Sequence, residues 1–436
     1  MNDFDIAAYE EEIQRNLRWN MIVNALDGAF FWFGMTFASS NTILPLYVNH
    51  LTDSKLAIGL VAAIPSMGWF LPQLLTAPLV ERMPRKKPFF LWTSLATERL
   101  AFLFMAASAY FLGKSSPDTA LMLFFITLIW HAFGAGTLAT AWQDMIAKII
   151  PVRWRGRFFG ITNFLGAAMG IPGAAVATAI LRRYPYPQNF ALCFLLAFVT
   201  LILSWIFVAL TREPPGPVRK ERESPLLYIQ RLRQIIHTDV NFTRFLLSRV
   251  VGVVGSMYVG FIAVSAARRF GLPDEVAGQF TGFIVGGQLV ANLVLGPVAD
   301  RRGHKLVLEI GLICNAMAAA TVLLAPHPRW IYLAFALQGI TVASYLLSGM
   351  SITFEFSEPE IRPTYIGLSS TVVGIFSGVA PLAGGWLADQ WGYSWLFGLC
   401  LIILMISWFI LHWLVQDPRF ARAGCPDVQV SPTGVS

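Results

Sequence analysis

Charge is what this chain has least of. Only 13% of its 436 residues are Asp, Glu, Lys or Arg, against 56% hydrophobic. A water-soluble domain has about a quarter of its residues charged, so there is too little polar surface here to coat a soluble particle of this size. Cysteine is scarce as well. Cys193, Cys314 and Cys400 fall inside apolar runs and Cys425 in the polar tail. No CxxC or zinc-type spacing accompanies them, which excludes a disulfide framework and leaves no metal expected. The opening residues, MNDFDIAAYEEEIQRNLRW, lack the basic n-region and short apolar core of a cleaved signal. The first apolar run is therefore expected to serve as an uncleaved insertion signal. Nucleophile elbow, metal triad and phosphate-cradling Gly loop are all missing, so neither an enzyme nor a cofactor is expected. No nucleic-acid module accompanies the net charge of +7, and anionic lipid headgroups suit it better.

What the chain does have is long hydrophobic runs, spread evenly. A helix needs about 20 apolar residues to cross a bilayer. Runs of that length occur at 22–48, 56–80, 88–112, 119–143, 158–181, 190–211, 243–266, 276–299, 306–325, 330–354, 364–388 and 394–415. The pattern predicts twelve spans, numbered 1 to 12 below, with both termini on one side. Lys and Arg crowd the loops of that side by more than three to one, which makes it the cytoplasmic side. Compact loops suggest a bacterial cytoplasmic membrane.

Residues 212–242 interrupt the rhythm and divide the chain into a first half (1–211), a linker, a second half (243–415) and a tail (416–436). Within the linker, Ser224-Pro225 is a helix start, and Leu226, Ile229, Leu232 and Ile236 recur at helical spacing. An amphipathic helix on the inner leaflet or a plain flexible linker satisfies this pattern.

The two halves echo each other. Ala77-Pro78-Leu79-Val80-Glu81-Arg82 between spans 2 and 3 matches Gly296-Pro297-Val298-Ala299-Asp300-Arg301 between spans 8 and 9, and Lys86 matches Lys305. Arg155-Gly156-Arg157 after span 4 matches Arg362-Pro363-Thr364 after span 10. Spans 5 and 11 share small-residue runs: Gly166, Gly170 and Pro172 in one, Gly374, Gly378 and Pro381 in the other. These correspondences indicate a duplicated six-helix unit.

On these residues the chain resembles the major facilitator superfamily, whose hallmark between spans 2 and 3 is G-x-x-x-D-[R/K]-x-G-[R/K]-[R/K]. The second copy here is the cleaner: Gly296, Asp300, Arg301, Gly303, His304, Lys305. In the first copy Ala77, Glu81 and Pro84 replace Gly, Asp and Gly. The resemblance implies an all-α integral membrane protein, twelve transmembrane helices in two pseudo-symmetric six-helix bundles, acting as a monomer. It implies a secondary transporter whose small solute binds between the bundles near midplane and crosses by alternating access. Spans 1, 4, 7 and 10 are the implied cavity lining. Many proton antiporters of the superfamily carry an Arg in span 4 where this chain has Trp130. A lipid flippase or scramblase, or a facilitative uniporter, would suit the same scaffold.

Ionisable residues inside the hydrocarbon are costly and need a reason. Asp27 lies about 13 Å and Arg99 about 16 Å from the same face at helical rise, so a bridge between spans 1 and 3 is geometrically allowed. Glu98 and Arg99 also read as a structural ion pair. Asp27 or His131, near the middle of span 4, is the expected titrating group of a proton-linked cycle. Arg249, near the inner end of span 7, reads as an interfacial anchor. Asn41 on span 1, Gln288 and Asn292 on span 8, Gln338 and Tyr345 on span 10, and Trp130 complete the candidate substrate and proton set. The hinge residues Glu81, Arg82, Gly296, Asp300, Arg301, Gly303 and Lys305, with Arg155 and Arg362, form an expected cytoplasmic latch. Asp144 is the expected anion for Arg82 or Arg155, and Glu355 for Arg301 or Arg362.

Overall fold

The computed structural model describes residues 6–80, 82–216, 233–349, 351–356 and 362–418. Glu81, the expected amphipathic helix as far as Leu232 and the end of the tail lie outside the described residues; the last stripe position of that helix, Ile236, is helical and exposed. Everything described is helix and short connections. Among the described residues, eleven helices are long and apolar enough to cross a membrane. They occupy the positions of spans 2 to 12: Lys55–Gln73 (within the helix Lys55–Val80), Lys87–Leu112, Pro117–Ile149, Arg153–Arg183, Gln188–Ala209, Val240–Phe270, Val276–Arg302, His304–Leu324, Arg329–Thr353, Thr364–Trp391 and Tyr393–Leu414. The position of span 1 holds the helix Ile6–Thr36. It is less apolar than the others because Asn16, Asn20, Asn24 and Asp27 sit on it, all four buried against neighbouring helices. Eleven of the twelve expected spans are thus met on length and apolarity, and the position of the twelfth holds a helix that falls short on apolarity.

Span 1 is not one helix. It ends at Thr36, turns through residues 37–42 and resumes as Ile43–Leu51. Span 7 does the same: Val240–Gly255, a tightened turn at Ser256–Phe261, then Ile262–Phe270. The spacing from Ile43 to Ile262 equals that from Ala77 to Gly296, so the duplicated hinge and the duplicated break share one register. The second pieces are held by aromatic burial. Tyr47 is fully buried among Phe124, Phe190 and Phe194.

Helix pairing repeats with a six-span shift. Spans 1–5, 1–6, 2–4 and 3–6 pack in the first half, and 7–11, 7–12, 8–10 and 9–12 in the second. Between halves, span 2 packs on span 11 and span 5 on span 8. The small residues explain this docking. A Cβ on Gly374 or Gly378 would lie 2.4 or 2.2 Å from Phe70 or Met67 of span 2, and one on Gly170 2.8 Å from Val285 of span 8. Without a hydrophobic drive between helices in lipid, such close approach supplies the packing energy.

Gly303 terminates span 8 with φ +95°, a conformation L side chains avoid, and span 9 begins at the next residue. The motif glycine is therefore a turn requirement, as its place in the hinge suggests.

Candidate functional site

A cavity of about 340 Å³ lies between the halves. Spans 1 and 5 form one wall, spans 8 and 10 the other. Four amides reach it, Asn41, Asn163, Gln288 and Asn292, beside the indole of Trp32. Asn41, Gln288 and Asn292 were expected from the sequence. Asn41 does not reach it from a continuous span 1, because the helix ends at Thr36 and Asn41 stands in the break itself. Asn163 was missed. Its signal is a lone amide three residues before the small-residue run of span 5.

The cavity is roofed on the face away from the hinges. Thr42 and Thr281 touch hydroxyl to hydroxyl at 2.6 Å, both buried, joining the break of span 1 to span 8. Farther out, His50 Nε2 meets Asp274 Oδ1 at 2.6 Å, and Asn189 donates to Asp274 Oδ2 at 3.0 Å. The imidazole stacks on Tyr186, whose hydroxyl donates to Gly113 O. Burial pushes the Tyr186 phenol up to about 12, with the nearby Asp274 charge adding to the shift. Arg268 donates to Asn49 and Asp53, and Lys55 to the Ala388 carbonyl. Asp274, Arg268 and Ala388 belong to the second half and their partners to the first, so these contacts clasp the halves together. None of this clasp was read from the sequence, because its members are ordinary loop polars until the fold faces them.

The polar contacts described on the hinge face join helices of one half to each other or to the linker and tail residues beside them. Glu213, after span 6, has a fully buried side chain and accepts from the backbone N–H of Lys86 and Lys87 and from Lys148 Nζ. It caps the start of span 3, where the helix dipole favours a carboxylate. In the second half Asp417, after span 12, lies against Gly303 at the start of span 9, the equivalent place. Asp144 pairs with Lys86 at 3.0 Å, not with Arg82, which is exposed, or Arg155. Arg155 instead donates to the carbonyls of Ala147 and Ile150, closing the end of span 4. Glu355 faces His304 at 3.9 Å in place of Arg301, which is exposed; the Arg362 side chain lies outside the described residues. Lys305 donates to His412 O and lies 3.6 Å from Glu309. Asp300 is exposed on the same face, and Gly296 stands in open space.

The remaining candidates, Trp130 apart, sit inside the bundles, away from the cavity walls. Asp27 accepts from Ser204 of span 6 at 2.6 Å and makes no bridge to Arg99. Arg99 pairs with Glu98, both buried in a π-bulge at Leu95–Arg99. Such bulges cluster at functional sites. His131 Nδ1 lies 3.3 Å from the Glu98 carbonyl and its ring packs on Phe102. In the second half the network is neutral. Gln338 donates to Tyr258 and Asn315, and Tyr258 to Asn315. The spacing from Arg155 to Arg362 also separates His131 from Gln338, so imidazole and amide are equivalent positions. Trp130 is exposed on the outer surface beside Phe104, not in the cavity. Tyr345 carries the guanidinium of Arg249 over its ring at 5.0 Å.

A model of the Major Facilitator Superfamily matches residues 26–273 and again 245–429. The chain belongs to that superfamily. Among curated relatives, an uncharacterized MFS-type transporter of Methanocaldococcus jannaschii is 24% identical, covering 79% of this chain and 83% of its own. The methylenomycin A resistance protein of Streptomyces coelicolor is 30% identical, over 40% of this chain and 38% of its own. Among solved structures, a bacterial homolog of the human lysosomal transporter Spinster, inward-facing and unoccupied, superposes with TM-score 0.64 at 14% identity, covering 90% and 96%. A D-xylose–proton symporter gives 0.64 at 17%, covering 92% and 98%. At such identities the likeness is one of fold. The chain is thus a multi-pass membrane transporter of small molecules and not an enzyme.

Proposed function

We propose that this chain carries a small amphipathic organic solute across the cytoplasmic membrane by proton-coupled alternating access, its hinge face toward the cytoplasm. The observation that carries the reading is the cavity: amides and an indole between the halves, roofed on one face by contacts that all cross from half to half. Such contacts exist in one arrangement of two rigid bundles and break in the other. The hinge networks around Glu213 and Asp417 brace each bundle as it rocks.

Proton coupling rests on the asymmetry between the halves. Where the second half satisfies its interior with Gln338, Asn315 and Tyr258, the first uses His131, Glu98, Arg99 and Asp27. The fold tolerates a neutral network at this place, so costly charge in its twin serves the cycle. Relatives named for resistance to methylenomycin A and to puromycin favour an amphipathic organic cargo.

The test uses proteoliposomes and the cargo found by a resistance screen. Asp27→Asn and His131→Gln are expected to abolish uptake driven by a pH gradient while leaving downhill exchange intact. Equal loss of both fluxes in well-folded protein assigns these residues a structural role and removes the coupling.

A further inference from the structure

Arg249 was expected to reach the membrane surface, and it does not. Its Nε and Nη1 are buried, and among the described residues they have no hydrogen-bond acceptor and the guanidinium no ion pair. Span 10 lies against it: the Tyr345 ring under the guanidinium at 5.0 Å, and Gly349, where a Cβ would sit 2.6 Å from Nη1. A cation over an aromatic face recovers part of its lost hydration. It leaves the N–H donors unused, and unused buried donors are expensive. The residue as a whole is half-buried, with Nε and Nη1 themselves closed off from solvent. Tyr345 and Gly349 lie on a strip of span 10 adjacent to Val342 and Leu346, which line the cavity; at about 100° per residue the two strips are neighbours.

We propose that Arg249, framed by Tyr345 and Gly349, is an anion-binding subsite that takes a carboxylate or phosphate oxygen. A guanidinium offers several fixed donors to an oxyanion, where an ammonium offers a point charge. A substrate with an acidic head and apolar body would place the head here and the body along the cavity. That role in substrate choice rests on the transport reading; the binding itself does not.

Thermal unfolding of the purified full chain tests binding without requiring flux. The probes are benzoate and phenyl phosphate against benzamide and benzyl alcohol, each at matched sodium chloride. The anions are expected to raise the midpoint of wild type in a saturable way and the neutral isosteres not to. Arg249→Gln is expected to weaken the response at least tenfold, Arg249→Lys to retain part of it, and Tyr345→Phe, which keeps the ring, to retain most. Should Arg249→Gln fail to fold, the Lys and Phe variants with the benzoate–benzamide comparison still decide. Nanodiscs of zwitterionic lipid, with and without phosphatidylglycerol, separate the sources. Benzoate stabilisation that persists in both points to a free anion. Stabilisation by phosphatidylglycerol that depends on Arg249 and displaces benzoate points to a lipid headgroup at the same subsite. Equal responses to benzoate and benzamide, to chloride alone, or in Arg249→Gln and wild type would overturn the proposal.

Discussion

Replacing Asp274 with Ala removes the acceptor on which the outer clasp converges. Two contacts go, the 2.6 Å one to His50 and the 3.0 Å one from Asn189, and both cross between halves. Hydrogen bonds to a charged group contribute about 1.5–3 kcal/mol each when buried. Here the His50 and Asp274 side chains are 33% and 21% exposed, so solvent screening brings each nearer about 1 kcal/mol. The clasped arrangement then loses about 2 kcal/mol, or roughly 30-fold in its equilibrium with the open one. An outward-open state held at about 1% would rise to roughly a quarter.

Pulsed electron paramagnetic resonance reads this directly. Spin labels at Ser115, between spans 3 and 4, and His327, between spans 9 and 10, report the separation of the two halves on the outer face. Both residues are exposed, so labelling leaves the packing alone. A second, longer distance is expected in Asp274→Ala and a smaller one in Asp274→Asn, which keeps one acceptor. A distance distribution unchanged from wild type, in protein that elutes normally, would refute the reasoning that these contacts hold the halves shut.

Glu213→Gln leaves Lys148 without its counter-charge and one backbone N–H at the start of span 3 unmatched; a loss of about 3 kcal/mol is expected, seen as a lower thermal midpoint in detergent. Gly136→Leu should abolish expression of folded protein, because even a Cβ there would lie 1.9 Å from the Gly68 carbonyl on span 2; Gly160→Ala, with nothing within 4 Å, should be silent, and fluorescence-detected gel filtration distinguishes them. Above pH 10 the Tyr186 hydroxyl contributes a stability loss: its folded pKa of about 12 exceeds the ordinary value, so the contribution is full below pH 10 and fades toward pH 12. Tyr186→Phe should flatten that part of the alkaline unfolding profile, and an unchanged slope would count against it.

The parts of the fold legible in the sequence were those set by one-dimensional physics. Apolar length gave the spans, and duplicated landmarks such as Gly296 and Ala77 gave the halves. Gly303 could be read as a turn because its neighbours forced one. The break of span 1 at residues 37–42 was hidden because the apolar stretches on either side of Ser39-Ser40-Asn41-Thr42 together have the length of one span. The partners of Asp144 and Arg155 were misassigned because charge pairing depends on helix rotation, which sequence spacing does not fix across different spans. Lys86, a turn later in the hinge, is the one that reaches Asp144. Trp130 was drawn toward the cavity by its position in span 4 when its side of that helix faces outward with Phe104.

The same rotational problem explains why the clasp and the Arg249 subsite went unseen, and the duplication now offers a way around it. Spans 1 and 7 break in the same register, yet what surrounds the two breaks differs. The first break feeds Asn41 into the cavity and Thr42 into the roof, whereas the second turns inward, Tyr258 bonding to Asn315 and Gln338. One half therefore presents its break to the cavity while its twin seals the equivalent turn in a neutral network. Two homologous six-helix units that began alike have divided the labour. The first holds the cluster of Asp27, Glu98, Arg99 and His131. The second holds a rigid amide core with an unpaired guanidinium at its edge. A carrier built this way discriminates by unlike walls around one cavity, so substitutions at equivalent positions of the two halves should have unlike consequences.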